Sequence, residues 1–211
     1  MNEVIKKKPD LTTKKYKAVY LLKSVTGIAY ITTNSPQFIS GHLRLRGKNN
    51  GSYPYKYREL ITELFGNIQD SQEEIEVCSG TVAKSGLLSF CDNYKLVTVD
   101  INPAKKPTHI MNGENLPTEW ANRFARWSSD PPYTDKAAKT MYQTDKMPSI
   151  SKLLTEGARV TKPGGLLFLL LGAKNMQWCP KSLVRIGWFG ITIVPNQEIR
   201  GLHCYLKTNQ Q

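Results

Sequence analysis

The sequence contains few cysteines and few histidines, and their spacing excludes several kinds of site. Four cysteines and three histidines are spread over 211 residues. The cysteines form no C-x-x-C pair, which disfavours a zinc knuckle or a dense disulfide framework. The histidines lie far apart in the chain and lack the i, i+4 spacing of metal ligands on a helix. We therefore expect no metal site.

Long apolar runs are also missing. The longest run, residues 166–171, is far shorter than the ~20 residues that cross a bilayer. No apolar stretch of signal-peptide length follows the charged N-terminus. Hydrophobic residues still make up 40% of the chain, which is enough for a packed core. These features predict a soluble, cytoplasmic protein with no membrane partner.

Acidic side chains are scarce in the N-terminal part of the chain. Residues 1–60 hold twelve basic and three acidic side chains, in a chain whose net charge is +12. A one-sided positive charge suits a polyanion, because phosphate neutralisation releases counterions. The alternatives are a solubilising tail and an exposed polar loop. The basic residues interleaved with tyrosines are the predicted nucleic-acid contacts: Arg44, Arg46, Lys48, Lys56 and Arg58.

The residue pattern divides the chain into a basic N-terminal arm, residues 1–56, and an α/β domain, residues 57–211. In the arm, the β-forming residues of 16–31 predict a small hairpin. The turn-forming residues of 34–54 predict a loop that contacts nucleic acid. Apolar residues at helical spacing predict a helix over 57–65, which ends at Gly66.

Strands and a helix in alternation predict the α/β class. Residues 166–171 are typical of a strand that is buried on both faces of a parallel sheet. The spacing of Ile150, Leu153, Leu154 and Ala158 predicts a helix over 150–160, which a turn at 162–165 ends. Helix, turn and buried strand form an α/β crossover unit. Further strands are predicted at 75–78, 96–100, 188–194 and 202–206.

Two polar features follow predicted strands, at the edge of the sheet where open α/β folds bind ligands. The first is a short turn with one glycine, made of Glu76, Cys78, Ser79, Gly80 and Thr81. Its backbone N–H groups can approach a ligand closely, although many such turns are only tight loops. The second is Asp100, whose carboxylate can accept hydrogen bonds from both hydroxyls of a ribose. The alternative is an acid that caps the next segment.

A third feature, Asp130-Pro131-Pro132-Tyr133, is more specific. The two prolines stiffen the chain and remove two backbone donors, which leaves neighbouring carbonyl groups as fixed acceptors. Asp130 adds a carboxylate and Tyr133 a flat aromatic face. Together they predict a site that accepts hydrogen bonds from an exocyclic amine while its ring stacks on the tyrosine.

These three motifs, in this order, resemble the class I S-adenosylmethionine-dependent amino-methyltransferases with a D-P-P-Y motif, best known from adenine-N6 DNA methyltransferases. The resemblance extends from about Tyr57 to Leu206. It implies a Rossmann-like sheet, mostly parallel with an antiparallel closing strand, which here follows a basic N-terminal extension. It also implies S-adenosyl-L-methionine as the cofactor, a catalytic domain over 57–211, and DNA or RNA as the partner.

The resemblance also assigns roles to residues. The turn from Glu76 through Cys78, Ser79, Gly80 and Thr81 would hold the methionine end of the cofactor. Asp100 would hold its ribose, and Glu114 its adenine. Asp130, Pro131, Pro132 and Tyr133 would hold the target amine and carry the catalysis.

The chain departs from the family in its cofactor turn, where Gly80 is the only glycine. A non-catalytic nucleic-acid-binding protein with this fold is therefore one alternative. The other is an RNA amino-methyltransferase that acts on adenine N6 or guanine N2, because RNA enzymes carry similar motifs. Methylation of cytosine C5 is disfavoured. That reaction needs a cysteine nucleophile, which in those enzymes follows a proline, and no cysteine of this chain follows a proline.

Overall fold

The computed structural model of the chain describes residues 18–22, 29–35, 38–46, 53, 57, 61, 65, 72–80, 95–172, 178–194 and 198–208. Its described strands are β1 (Ala18–Leu22), β2 (Ala29–Ser35), β3 (Phe38–Arg46), β4 (Glu73–Val77), β5 (Lys95–Asp100), β6 (His109–Ile110), β7 (Phe124–Ser129), β8 (Thr161–Gly172), β9 (Leu183–Val194) and β10 (Glu198–Lys207). Its described α-helices are α1 (Asp135–Met141) and α2 (Ile150–Val160), and its described 3-10 turns are Pro103–Lys105 and Thr118–Trp120. None of the described helices is long and apolar enough to cross a membrane.

All ten described strands belong to one sheet, in the order β1-β2-β3-β9-β10-β8-β7-β4-β5-β6. The chain runs outward from β4 through β5 to β6, then returns to the other side of β4 with β7 and β8. β10 pairs antiparallel with both β8 and β9, so it is the one antiparallel strand among β4–β10. This arrangement confirms the predicted α/β class, with its mostly parallel sheet and antiparallel closing strand.

The order of the strands decides where a ligand can bind. Because β5 pairs with one side of β4 and β7 with the other, the strand order reverses at β4. In open α/β sheets such a switch point opens a crevice at the carboxyl ends of the strands. The segments after β4, β5 and β7 carry the three predicted motifs, and they meet at this edge.

The core lies between the central strands and α2. Ile75 and Val77 of β4 pack in one cluster with Leu153 and Leu154 of α2 and with Trp127 of β7. The helix covers residues 150–160, as its apolar spacing predicts, and Ser149 caps its N-terminus by accepting a hydrogen bond from the Lys152 N–H group. Of the predicted helix over 57–65, the structure describes Tyr57, Ile61 and Phe65, which are helical; the other residues of that segment lie outside the described ones.

Gly157 lies where α2 crosses the sheet, and its lack of a side chain permits close packing. A Cβ atom there would come within 2.8 Å of the ring of Trp127, which is fully buried. We expect Gly157→Ala to lower the free energy of unfolding by about 1–3 kcal/mol, because overlap with an immobile ring outweighs a helix-propensity gain of about 1 kcal/mol. Urea denaturation measures the change. Thr155→Ala, at an exposed position of the same helix, should not destabilise, and equal effects of the two variants would contradict this packing.

Two local predictions were wrong. Residues 34–54 were predicted to be a loop, but 38–46 form β3, which pairs in parallel with β9. The count of turn-forming residues obscured the polar–apolar alternation of residues 42–46, which is typical of a strand. The turn at 162–165 is instead part of β8: Thr161 lies opposite Phe124 and Leu166 opposite Arg126, so the residues between them bulge out of the ladder.

The N-terminal segment joins the same sheet. β1 and β2 pair antiparallel, as the predicted hairpin requires, and β2 pairs with β3. The proposed turn of this hairpin, Thr26-Gly27, lies outside the described residues. The division of the chain at residue 56 stays a prediction.

Candidate functional site

A cavity of about 550 Å³ lies at the carboxyl ends of β4, β5 and β7. Its volume is within the usual range for sites that bind a small molecule. Four groups of residues form its wall: Cys78 after β4, residues 99–101 at the end of β5, residues 111–114 after β6, and Asp130 and Pro132 after β7. Residues between α1 and α2, from Tyr142 to Ser149, also line it. Three motifs that are distant in sequence thus meet around one space.

The turn after β4 is held by hydrogen bonds to β5. The Ser79 N–H group donates to the Val99 carbonyl at 3.0 Å, and the Gly80 N–H group donates to Asp100 Oδ2 at 2.8 Å. Gly80 has a φ of 51°, and Cys78 has a φ of 56° although it is not a glycine. This left-handed backbone is rare for residues with a side chain, and it turns the chain sharply at the cavity.

Asp100 ends β5 and connects two segments of the cavity wall. While Oδ2 accepts from Gly80, Oδ1 accepts a hydrogen bond from the Asn102 N–H group at 2.8 Å. Each carboxylate oxygen has two lone pairs, so both retain capacity for a hydroxyl donor in the cavity. Asn102 in turn donates from Nδ2 to the carbonyl of Tyr142 at 3.0 Å, which joins the segment after β5 to the segment after α1.

Glu76 lies behind the cavity wall. It is fully buried in β4, and its carboxylate accepts a hydrogen bond from the hydroxyl group of Tyr53. Burial, followed by the charge of Glu76, raises the pKa of Tyr53 well above its usual value. The ring of Tyr53 stacks on Tyr57 with centroids 4.4 Å apart. Glu76 therefore fastens the segment before β4 to the sheet and does not itself line the cavity.

Glu114 lines the cavity beside the start of α2. Its carboxylate accepts a hydrogen bond from the Ser149 N–H group, and its own N–H group donates to Asn112 Oδ1 at 2.9 Å. The neighbouring Gly113 packs so closely on β4 that a Cβ atom would lie 2.1 Å from Val77 Cγ1. The position of Glu114 is thus set by a tight turn on one side and by a helix start on the other.

Asp130 follows β7 directly and is held from two sides. Its Oδ1 accepts a hydrogen bond from the Tyr133 hydroxyl at 2.5 Å, and its Oδ2 accepts one from Arg200 Nη1 at 3.1 Å. The Arg200 guanidinium also lies 5.2 Å from the centre of the Tyr133 ring, within the range of a cation–π contact. Pro131 and Pro132 are buried, and Pro132 lines the cavity next to Asp130. The carboxylate is therefore fixed in orientation at the cavity wall.

Arg200 and Tyr142 are two residues of the site that sequence analysis missed. Arg200 lies in β10 opposite Gly172, which ends β8, so the antiparallel closing strand brings it to the cavity edge. No motif in the sequence marks it. Tyr142 lines the cavity, and its pKa is raised to about 12, first by burial and then by the charge of Asp130. Tyr142 is thus neutral at physiological pH.

The thiol of Cys78 lines the same cavity, and its chemistry gives a direct test of the site. Burial, with the nearby charge of Asp100, raises its pKa to about 12. Since the thiolate is the reactive form, we expect alkylation by iodoacetamide at pH 8 to be about a thousandfold slower than for a free thiol of pKa about 8.5, with a rate that rises roughly tenfold per pH unit. Mass spectrometry of the labelled peptide measures the rate, with denatured protein as the control. Native labelling as fast as in the denatured chain would contradict this environment.

Several predicted contacts are only partly placed. Thr81, Lys48, Lys56 and Arg58 lie outside the described residues. The backbones of Arg44 and Arg46 lie in β3, in register with Thr192 and Val194 of β9. Their roles in binding stay predictions. Within the described ranges, the structure shows no group of three His, Cys, Asp or Glu side chains that could hold a metal ion.

Comparison with known proteins identifies the fold. No protein-family model matches the chain, and no curated protein sequence is significantly similar to it. Among solved structures, TrmN from Thermus thermophilus matches with a TM-score of 0.55 at 13% identity, over 75% of this chain and 50% of that one. Geranyl diphosphate C-methyltransferase from Streptomyces coelicolor A3(2), solved with Mg²⁺, geranyl diphosphate and S-adenosyl-L-homocysteine, matches with a TM-score of 0.52 at 9% identity, over 71% and 76%.

A 16S rRNA (adenine(1408)-N(1))-methyltransferase mutant from Catenulisporales acidiphilia also matches, with a TM-score of 0.47 at 11% identity, over 67% of this chain and 87% of that one. The two matches with a TM-score above 0.5 support one and the same fold for this chain. The chain has the Rossmann-like fold of the class I methyltransferases.

Proposed function

We propose that this protein transfers a methyl group from S-adenosyl-L-methionine to an exocyclic amine of a nucleic-acid base, with N6 of adenine in DNA as the target that the D-P-P-Y motif favours. One observation carries the proposal. Asp100 is the last residue of β5 and Asp130 directly follows β7, the two strands that flank β4, and both residues line a single cavity. A ribose-binding acid and an amine-accepting acid on one cavity are what such a transfer requires.

The residues around the cavity fit the cofactor. Asp100 has oxygen lone pairs left for ribose hydroxyls, after accepting from Gly80 and Asn102. The turn of Cys78, Ser79 and Gly80 supports the methionine end, and the segment with Glu114 supports the adenine. Glu76 contributes through this turn, since its own carboxylate is bonded to Tyr53. When bound, the cofactor supplies a methyl group made electrophilic by its sulfonium.

Asp130 makes the target amine reactive. An exocyclic amine of a base is a poor nucleophile, because its lone pair is delocalised into the ring. Asp130 accepts a hydrogen bond from the amine N–H, and the carbonyl of Pro131 accepts the second one, which draws the nitrogen toward tetrahedral geometry. The carboxylate also stabilises the positive charge that develops on nitrogen. The surplus proton then leaves to water, so the mechanism needs no strong base.

Arg200 and Tyr133 position Asp130 for this role. Each donates to a different carboxylate oxygen, so the group cannot rotate away from the cavity. The aromatic ring of Tyr133 also offers a stacking surface for the target base. In a duplex the base has to leave the helical stack to reach this surface. Fixed positioning of this kind supplies a large share of enzymatic rate enhancement.

Methyl transfer from tritiated S-adenosylmethionine tests the proposal. Single-stranded and duplex DNA are compared with RNA, and the products are digested to nucleosides. Label in N6-methyladenine from DNA supports the proposal as stated, whereas label in N6-methyladenine or N2-methylguanine from RNA supports the RNA alternative. Absence of cofactor binding in calorimetry would overturn the proposal and favour a non-catalytic nucleic-acid-binding protein with this fold.

A further inference from the structure

We propose that five lysines around the mouth of the cavity bind the phosphodiester backbone of the strand that carries the target base. We call them the mouth lysines: Lys105, Lys106, Lys136, Lys139 and Lys146. The inference relies on the proposed function for the identity of the strand, but the binding itself relies only on charge and placement. These residues are separate from the N-terminal basic residues that the sequence singles out.

The mouth lysines lie on the two segments that meet at the cavity. Lys146 lines the cavity, and Lys105 Nζ lies 6.0 Å from the centre of the Tyr142 ring, which also lines it. Lys136 and Lys139 belong to α1, the helix that connects Tyr133 with Tyr142. All but the half-buried Lys105 are exposed.

Hydrogen bonds hold these two segments in place. Asn102 Nδ2 donates to the carbonyl of Tyr142 at 3.0 Å, which ties the Lys105 segment to the end of α1. The N–H group of Met147 donates to Asp135 Oδ1 at 2.9 Å, which folds the Lys146 segment back onto the start of α1. The backbone that carries the lysines is therefore held in place beside the cavity.

The ion pairs among the described residues involve arginines. Arg123 pairs with Glu73 at 2.6 Å, Arg159 with Glu156 at 2.8 Å, and Arg200 with Asp130 at 3.1 Å. At the mouth, the described residues contain no ion pair to any of the five lysines. The cavity wall also holds the carboxylates of Asp100, Glu114 and Asp130, and each of them accepts a hydrogen bond from a protein group. The exposed acids on the segments that carry the lysines are Asp135 and Asp145. The positive charge at the mouth is thus available to an external anion.

The spread of these charges favours a polyanion over a small anion. A single phosphate needs cations that converge on one point, whereas the mouth lysines extend over a 3-10 turn, a helix and a loop. A strand laid across them presents one phosphate after another while one base enters the cavity. Contacts of this kind position the strand and carry no sequence information.

Salt-dependent binding to oligonucleotides tests the inference. We compare the full chain with K105A/K106A, with K136A/K139A and with the combined fourfold variant, using fluorescence anisotropy on single-stranded DNA and RNA between about 50 and 200 mM salt. We expect each double variant to bind more weakly at low salt. The plot of log K against log salt should become less steep by about 1.4, because two lysines are removed and each phosphate contact to a single strand contributes about 0.7 to the magnitude of the slope.

The matched control is K95A/K181A, which removes the same charge from the amino edge of the sheet. Lys95 begins β5 and Lys181 precedes β9, and both are exposed. The control should retain the slope of the unmodified chain, and thermal melts show whether all variants stay folded. An equal loss of affinity and of salt slope in the control and in the mouth variants would overturn the inference, because binding would then depend only on the net charge of the protein.

The outcomes separate this inference from the proposed function. If the mouth variants lower the salt slope on both DNA and RNA, the lysines contact the phosphate backbone. If they lower it on only one of the two, the lysines contact the backbone of that polymer, which is then the substrate strand. If S-adenosylmethionine fails to bind but the mouth variants still lose slope, the proposed function fails and this inference stands. If the unmodified chain transfers methyl groups but the fourfold variant keeps an unchanged salt slope, this inference fails and the proposed function stands.

Discussion

Asp130→Ala is expected to lower kcat for methyl transfer by about 10²–10³-fold, the usual consequence of removing one preorganised group that stabilises charge in a transition state. The affinity for S-adenosylmethionine should change by less than about twofold, because the cofactor contacts are proposed for Asp100 and the turn after β4. Single-turnover transfer of tritiated methyl groups measures the rate, and calorimetry measures cofactor affinity.

Two companion variants make this result specific. Arg200→Met removes the guanidinium that donates to Asp130 Oδ2, and we expect a smaller fall in kcat, which Arg200→Lys should restore in part. Glu119→Ala, at an exposed acid near the amino edge of the sheet, is the control and should be fully active. An active Asp130→Ala variant would contradict the mechanism, whatever its cofactor affinity.

Asp100→Asn is expected to weaken S-adenosylmethionine binding by about 10- to 100-fold. The carboxylate accepts hydrogen bonds from both Gly80 and Asn102, and the amide of asparagine can accept only one of them. The loss of a hydrogen bond to a charged group amounts to about 1.5–3 kcal/mol. The variant also has one oxygen fewer for the ribose. Calorimetry on the variant and the unmodified chain gives the ratio of dissociation constants.

The control for this substitution is Glu119→Gln, which removes one carboxylate charge far from the cavity. Its cofactor affinity should equal that of the unmodified chain. Because Asp100 also holds the turn of residues 78–80, a lower thermal melting temperature is expected for Asp100→Asn. Unchanged cofactor affinity in this variant would show that Asp100 only holds the turn, and the proposed ribose contact would have to be abandoned.

Local sequence patterns were enough to predict most of the central elements. The helix over 150–160 and the strands that correspond to β4, β5 and β8 follow from apolar periodicity, because their buried faces repeat at helical or strand spacing. β3 was missed, since turn-forming residues surround a short alternating stretch whose stability comes from pairing with β9. The bulge at 162–165 was missed for the same reason: its shape depends on the partner strand.

The same distinction applies to the candidate site. Asp100, Asp130 and Glu114 could be singled out from sequence because each stands in or next to a motif, and all three line the cavity. Arg200 could not, because its partner Asp130 is 70 residues away and only the pairing of β10 with β8 brings the two together. Glu76 was placed on the correct strand, but its hydrogen bond to Tyr53 could not be foreseen.

The sequence by itself determined the α/β class, the order of the three motifs and the positive charge of the chain. These are properties of residue types and local spacing, which need no knowledge of distant partners. The tertiary structure decided what surrounds the cavity: the donors that fix Asp130, the place of Glu76 behind the wall, and the positions of Lys105 and Lys146 beside it. Such features depend on contacts between residues far apart in the chain, which only the register and order of the strands establish.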